Sequence, residues 1–288
     1  MDEIRQACGI LPPEIRDIIL RLPYAAEIEE IRLRCGRAIA VTVKGKERQP
    51  AAALVTAKTL EDVIAKATGH AVYSAQHALK NGFVTVKGGH RLGICGTAVY
   101  HGNEISGFQE ISSVNLRVAR QITGIASKPA DEIWLHPEST LIIGAPGVGK
   151  TTLLRDLIRQ LSDRFSFRIS AADERMEIGA CWNGIPQFDL GMHTDVLSGV
   201  NKTEAVEFLL RTMRPEWIAV DEITAAGDIE AMLRGAYCGV SFLATAHASC
   251  RDELFMRELY RRVISCGIFQ NLVTIRKDRT VITERMFI

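Results

Sequence analysis

The sequence predicts an α/β protein whose larger domain is built on a central, mostly parallel sheet and is preceded by a smaller α+β domain. Three observations carry that prediction. After Pro137, apolar strand-like runs alternate with helical stretches; a Gly-rich loop follows the first of those runs and opens a helix; and the first 125 residues instead mix helices with short β-like stretches punctuated by glycine. A length of 288 residues, 47% of them apolar, suits two domains of about 150 residues each. We expect a first domain over 1–125 and a second over 126–288.

In the first domain, Pro12 and Pro13 open a helix with Ile15, Ile18, Ile19 and Leu22 at helical spacing, and Pro23 stops it. Ile39 to Val43 is β-like and ends in a Lys-Gly turn. A second helix is predicted over 59–68, with Thr59 as its cap, Asp62 three residues later and Gly69 as its stop. From Phe83 to Tyr100 the pattern is one of short strands broken by Gly82, Gly88, Gly89, Gly93 and Gly96. Val114 to Val118 alternates, which sets Asn115 and Arg117 on the face opposite the apolar one. Gly124 to Pro137, with a glycine, two prolines and mixed polarity, reads as the boundary.

Beyond it the candidate strands are 140–143, 167–171, 217–220 and 240–245. The first leads straight into Gly144, Ala145, Pro146, Gly147, Val148, Gly149, Lys150 and Thr151, a full match to GxxxxGK[ST]. The glycines let the backbone turn tightly so that successive N–H groups face phosphate oxygens. Lys150 adds a point charge at the β and γ phosphates, the Thr151 hydroxyl is placed for Mg²⁺, and Thr152 completes the phosphate-facing set. The helix that follows, predicted over 151–161, turns its positive end toward the same anion. This is a site for ATP with Mg²⁺.

Trp217-Ile-Ala-Val-Asp221-Glu222 is an apolar run ending in two carboxylates, roughly 70 residues after the loop. Asp221 is the candidate Mg²⁺ holder and Glu222 the candidate base for water. Phe242 to His247 ends another apolar run, and its Thr245 and His247 are placed to sense the γ-phosphate or the attacking water. Asp173-Glu174-Arg175 closes a further strand, with Glu174 as a second candidate for activating water; a solvated charge run is the plain alternative. The stretch from Gly179 to Gly199, with Trp182 and Phe188, reads as a pore or interface loop or as an ordinary surface excursion. Leu197-Ser-Gly-Val-Asn201 imitates the signature loop of ABC transporters, but Val200 and Asn201 depart from it, so the likeness is accidental.

With these pieces in place, the chain resembles the stage III sporulation protein AA family, relatives of the type II and type IV secretion ATPases. The likeness runs through Gly144–Thr151, Ala172–Gly179, Asn183–Gln187, His193–Leu197, Met213–Glu222 and Leu243–His247, and earlier through Glu30–Arg34, Arg91–Gly96 and Ser113–Arg120. It implies a RecA-like ATPase domain working in a homo-oligomeric ring, typically a hexamer, with ATP between subunits. It also implies an arginine that stabilises charge on the γ-phosphate, for which Arg117 and Arg120 are the candidates and Arg175 the reserve. The biology it implies is endospore formation, in the mother-cell cytosol, docked on membrane proteins of the channel to the forespore.

Composition bounds the alternatives. With 35 basic against 34 acidic residues the net charge is +1, so no long-range field draws in nucleic acid or anionic lipid. A RecA-like motor on nucleic acid is therefore a weaker reading, and no direct nucleic-acid contact is expected. A small-molecule kinase lacks reason to keep Glu222 beside Asp221, since it must avoid hydrolysis. A nucleotide-gated scaffold with slow hydrolysis uses the same residues. Seven scattered cysteines without CxxC spacing read as free thiols. No run of about 18 apolar residues occurs, and the acidic start lacks signal-peptide character, so a soluble cytosolic protein is expected.

Overall fold

A computed structural model describes residues 1–69 and 82–286. The chain forms two compact units, one of Met1–Arg120 with Ala180–Gln187 and one of Gln121–Gly179 with Phe188–Ile288.

The first unit holds a six-stranded antiparallel sheet: β1 Ile28–Arg34, β2 Ala40–Val43, β3 Lys46–Arg48, β4 Phe83–Val86, β5 His90–His101 and β6 Glu104–Arg117, in the order β3-β2-β1-β6-β5-β4. Among the described residues, helices α1 Asp2–Ala7, α2 Pro13–Leu20 and α3 Ala57–Ala67 supply Ile4, Ile15, Ile19, Leu60 and Val63 to a core that also takes Ile31, Leu33, Val41, Leu92 and Leu116. One face of the sheet is thus apolar and the other polar, as antiparallel sheets permit. Lys44 and Gly45 both have positive φ, 51° and 72°, which makes the expected Lys-Gly turn a two-residue hairpin between β2 and β3.

Three expectations here need correction. Thr59 does not cap α3: the cap is Thr56, whose hydroxyl accepts from Thr59 N at 3.1 Å while Thr59 Oγ1 accepts from Thr56 N. Thr59 is the third residue of a capping box, so the helix starts earlier. Gly93 and Gly96 do not break a strand; both lie inside β5. A Cβ on Gly96 would stand 2.6 Å from the Gln109 carbonyl, and the register slips there between Cys95 and Thr97. The glycine marks a bulge under a close backbone approach. Finally, 124–137 contains a helix, α4 Ser127–Leu135, with Pro129 tolerated in its first turn.

The second unit is a seven-stranded sheet. Its strands are β7 Thr140–Gly144, β8 Ile169–Asp173, β9 Thr194–Ser198, β10 Trp217–Val220, β11 Ser241–Ala246, β12 Asn271–Ile275 and β13 Val281–Arg285. They lie in the order β13-β12-β7-β11-β10-β8-β9, parallel except for the β12–β13 pair. The central strands β7, β8 and β10 are buried along their whole length; β7 and β10 read as nearly continuous apolar runs, while β8 buries Ser170 and Asp173 beside its apolar residues. Alternate residues feed two cores. Ile142, Ala171, Ala219 and Leu243 meet α4 and α5 Lys150–Phe165; Ile143, Ile218, Val220 and Phe242 meet α6 Lys202–Thr212, α7 Ala226–Tyr237 and α9 Glu258–Ser265, which follows the short α8 Arg251–Met256.

Strand 217–220 falls where predicted, whereas 167–171 moves to Ile169–Asp173 and 240–245 to Ser241–Ala246. Strands β9, β12 and β13 were not predicted. β9 lies inside the expected 179–199 excursion, which is therefore not all loop. Its residues 180–187 form a hairpin of the first unit, where Trp182 and Ile185 exchange backbone hydrogen bonds and Gln187 Oε1 accepts from Gly88 N at 2.8 Å. None of the seven cysteines forms a disulfide among the described residues.

A Cβ at Gly235, in α7, would lie 2.5 Å from Cζ of the fully buried Phe242. Gly235→Ala gains up to about 1 kcal/mol of helix propensity but overpacks a ring that has no room to yield, so a net loss of about 1–2 kcal/mol is expected by urea unfolding. Stabilisation would contradict the tight helix-to-strand contact.

Candidate functional site

The register of the parallel strands decides which polar groups meet. β8, β10, β11 and β7 are neighbours, and all four end at the same edge of the sheet. Each strand runs out of apolar residues there and polar ones follow: Asp173 at the end of β8 with Glu174 and Arg175 beyond it, Asp221 and Glu222 after β10, His247 after β11, and the glycine loop from the last residue of β7.

The loop begins at Gly144, which is buried. A Cβ there would press on Val148 Cγ1 at 2.6 Å and the Ile275 carbonyl at 3.0 Å. Gly147 and Gly149 take φ of 74° and 112°, with open space above both. Ala145, Val148, Thr151 and Thr152 are partly exposed and Pro146 is exposed, so the loop presents its backbone at the crest of the sheet. Lys150, only 6% exposed, folds back over the loop and donates to Gly144 O at 3.0 Å, Ala145 O at 3.1 Å and His247 Nδ1 at 2.7 Å. Burial lowers its pKa, and the Asp221 and Glu222 carboxylates act against that shift.

Asp221 is held by two hydroxyls. Thr151 Oγ1 donates to Oδ2 at 2.8 Å and Thr245 Oγ1 to Oδ1 at 2.7 Å. Thr245 Oγ1 also accepts from Glu222 N at 2.8 Å, and its carbonyl accepts from Ile223 N. Glu222 sits at φ 53°, a left-handed turn off the end of the strand. Its carboxylate receives Arg175 NH1 at 2.6 Å on Oε2 and lies 2.9 Å from His247 Nε2 through Oε1. The Tyr260 hydroxyl accepts from His247 N at 3.0 Å.

The charged cluster at the end of β8 splits three ways. Asp173 is buried and accepts from the N–H groups of Glu177, Ile178 and Gly179 at 2.7–2.9 Å, which fixes the following turn. Burial raises its pKa, the three N–H bonds oppose that, and the Asp221 charge adds to it. Glu174 is ion-paired with the buried Lys202, which also lies 4.0 Å from Asp228. Arg175 turns to Glu222. Arg117 and Arg120 belong to the first unit: Arg120 donates to the carbonyls of Ala26 and Ile28 at 2.8 and 2.6 Å, and Arg117 lies 3.7 Å from Glu30.

So the residues from Gly144 to Thr151, Asp221, Glu222, Thr245 and His247 come together, as does Arg175. Sequence reasoning missed the Arg175–Glu222 and Glu174–Lys202 pairs; no spacing rule links residues on elements that only the fold brings together. Thr151 and Asp221 offer two hard oxygen donors 2.8 Å apart, the chemistry Mg²⁺ prefers when phosphates and water fill its other positions. Among the described residues no cluster of three or more His, Cys, Asp or Glu could hold a metal by itself. The set fits a nucleotide-borne Mg²⁺.

Comparison with known proteins bears on the same residues. The family model described as Sporulation stage III, protein AA matches residues 1–283. The stage III sporulation protein AA of Bacillus subtilis (strain 168) is 36% identical over 276 residues, covering 91% of this chain and 87% of that protein. Among solved structures, the pilus retraction motor PilT with bound ADP superposes with a TM-score of 0.63 at 17% identity, over 95% of this chain and 82% of that one. The ATPase DotB of Legionella pneumophila gives 0.60 at 19% identity, over 96% and 80%. These likenesses establish the fold: a RecA-like P-loop domain preceded by a smaller α+β domain.

Thr245 supports both acidic residues through one hydroxyl. Thr245→Val should cost about 1–3 kcal/mol by urea unfolding, because it strips a donor from Asp221 and an acceptor from Glu222 N. Thr245→Ser should recover most of it. A Val variant within about 0.5 kcal/mol of wild type would show that the bridge contributes little.

Proposed function

The chain belongs to the stage III sporulation protein AA family, and on that premise we propose that it is a Mg²⁺-dependent ATPase, acting as a homo-oligomeric ring, typically a hexamer, that drives the channel apparatus between mother cell and forespore. The observation that carries this reading is the bonding of Thr151 to Asp221 beside Lys150, with Glu222 one residue further on. An adjacent acid beyond the metal holder is what a hydrolase needs and a phosphotransferase avoids. The names of DotB, an ATPase, and PilT, a motor with bound ADP, agree with it.

In this reading the loop N–H groups and Lys150 bind the phosphates, and Thr151 with Asp221 holds Mg²⁺, which neutralises charge on the phosphates when bound. Glu222 takes the proton of the attacking water, with Thr245 fixing its backbone and His247 orienting its carboxylate. Glu174 is the second candidate base, but its carboxylate is engaged with Lys202. Arg117 or Arg120, from the first unit of the same or a neighbouring copy, supplies positive charge at the γ-phosphate. No helix among the described residues is long and apolar enough to cross a membrane. In this reading the protein is cytoplasmic and reaches the membrane through membrane-protein partners, and its net charge of +1 gives no long-range field toward nucleic acid.

The test is ATP hydrolysis by wild type and Glu222→Gln, with mass measured at several concentrations. Turnover should fall by about 10²–10⁴ in Glu222→Gln while ATP still binds, and wild-type turnover per chain should rise with assembly. Equal rates at every concentration from a monomer would end the ring model. Undiminished turnover in Glu222→Gln would move the base to Glu174.

A further inference from the structure

Arg175, Glu222, His247 and Lys150 come from four adjacent strand ends and form one continuous polar row. Lys150 Nζ stands 2.7 Å from His247 Nδ1, His247 Nε2 stands 2.9 Å from Glu222 Oε1, and Arg175 NH1 stands 2.6 Å from Glu222 Oε2. The donors fix the tautomer. An ammonium can only donate, so Nδ1 accepts and Nε2–H donates to the carboxylate. Both oxygens of Glu222 are therefore engaged, one with a cation and one with an N–H.

That arrangement bears on the role given to Glu222 above, on which this inference rests. A carboxylate with both oxygens engaged in this way points its lone pairs at protein rather than at water. The Glu222 backbone has little freedom to escape, since Thr245 binds both Glu222 N and Ile223 N. Only its side chain can turn. At the other end, the turn that carries Arg175 is pinned from beneath by the three bonds to Asp173. The Arg175 side chain itself is 59% exposed at the rim, against 23% for Glu222, so water stands ready to take the guanidinium when the pair opens.

We propose that Arg175 is a positioning residue that restrains Glu222, holding its carboxylate off the attacking water, so that opening this ion pair limits turnover. The row extends the restraint to the phosphate loop. A phosphate that draws the Lys150 ammonium also draws it from His247, the other group that holds Glu222.

The experiment compares kcat and KM for ATP in wild type, Arg175→Gln, Arg175→Lys and Arg175→Gln/Glu222→Gln, at low salt and at about 0.5 M salt. Arg175→Gln should raise kcat about threefold to fivefold at low salt, the scale of a half-exposed ion pair, with KM within about twofold. High salt should raise the wild-type rate toward that of the variant. Arg175→Lys, which keeps a cation, should bring the rate back toward wild type, and Glu222→Gln should erase the gain. A kcat that falls or stays level in Arg175→Gln while turnover still needs Glu222 would overturn the restraint alone. Turnover indifferent to Glu222 would instead fail the assignment of the base, and the restraint with it.

Discussion

Asp221 takes a hydroxyl hydrogen bond on each carboxylate oxygen, from Thr151 at 2.8 Å and Thr245 at 2.7 Å. Those two bonds tie the start of α5, the end of β10 and the end of β11 to one point. The parallel register sets the point: Val220 pairs with Ala244 on one side and Ala172 on the other, so neighbouring strands run out of apolar residues together. The buried strands supply the hydrophobic stabilisation and bring the polar ends with them. A shift of one residue in any of them would exchange the residues that feed the two cores along its length.

The crest keeps several charged groups away from water, and each is met by partners. Lys150 has two loop carbonyls and His247, Asp173 has three N–H groups, and Lys202 lies between Glu174 and Asp228. Asp228 in turn accepts from Thr224 N and Ala225 N at the entrance to α7. Thus the residues just after β10 are braced from two sides, by Thr245 on β11 and by the Lys202–Asp228 contact from α6. A fully bonded network of this kind gives one preferred geometry, because any member left alone in a low-dielectric site is costly. Glu222 fits that view: its left-handed backbone is held by Thr245, while its side chain is shared between His247 and Arg175.

Much of this was legible in the residues themselves. GxxxxGK[ST] carries its own geometry, because each glycine answers a steric demand, and apolar runs ending in Asp-Glu or Thr-Ala-His announce strand ends. Elements without a clean period escaped. β1 contains a register slip between Ile28 and Glu30, so its buried residues Ile28, Ile31 and Leu33 do not alternate strictly. β9, at the sheet edge, is only half-buried and has no apolar run to betray it. Pairings between separate elements, such as Arg175 with Glu222 across two strand ends and Glu174 with Lys202 at the start of α6, depend on strand order, which local sequence does not encode. The hairpin at 180–187 counts with the first unit for the same reason: its partner, Gly88, is remote in sequence.

The central claim is that Lys150, Thr151 and Asp221 form one site for ATP carried with Mg²⁺. Calorimetric titration of ATP into wild type and Lys150→Ala, each with and without Mg²⁺, tests it most directly. The account predicts that wild type binds ATP more tightly with Mg²⁺ than without it. Loss of the Lys150 charge should then weaken binding by about 10- to 100-fold. Affinity indifferent to both Lys150 and Mg²⁺ would contradict it.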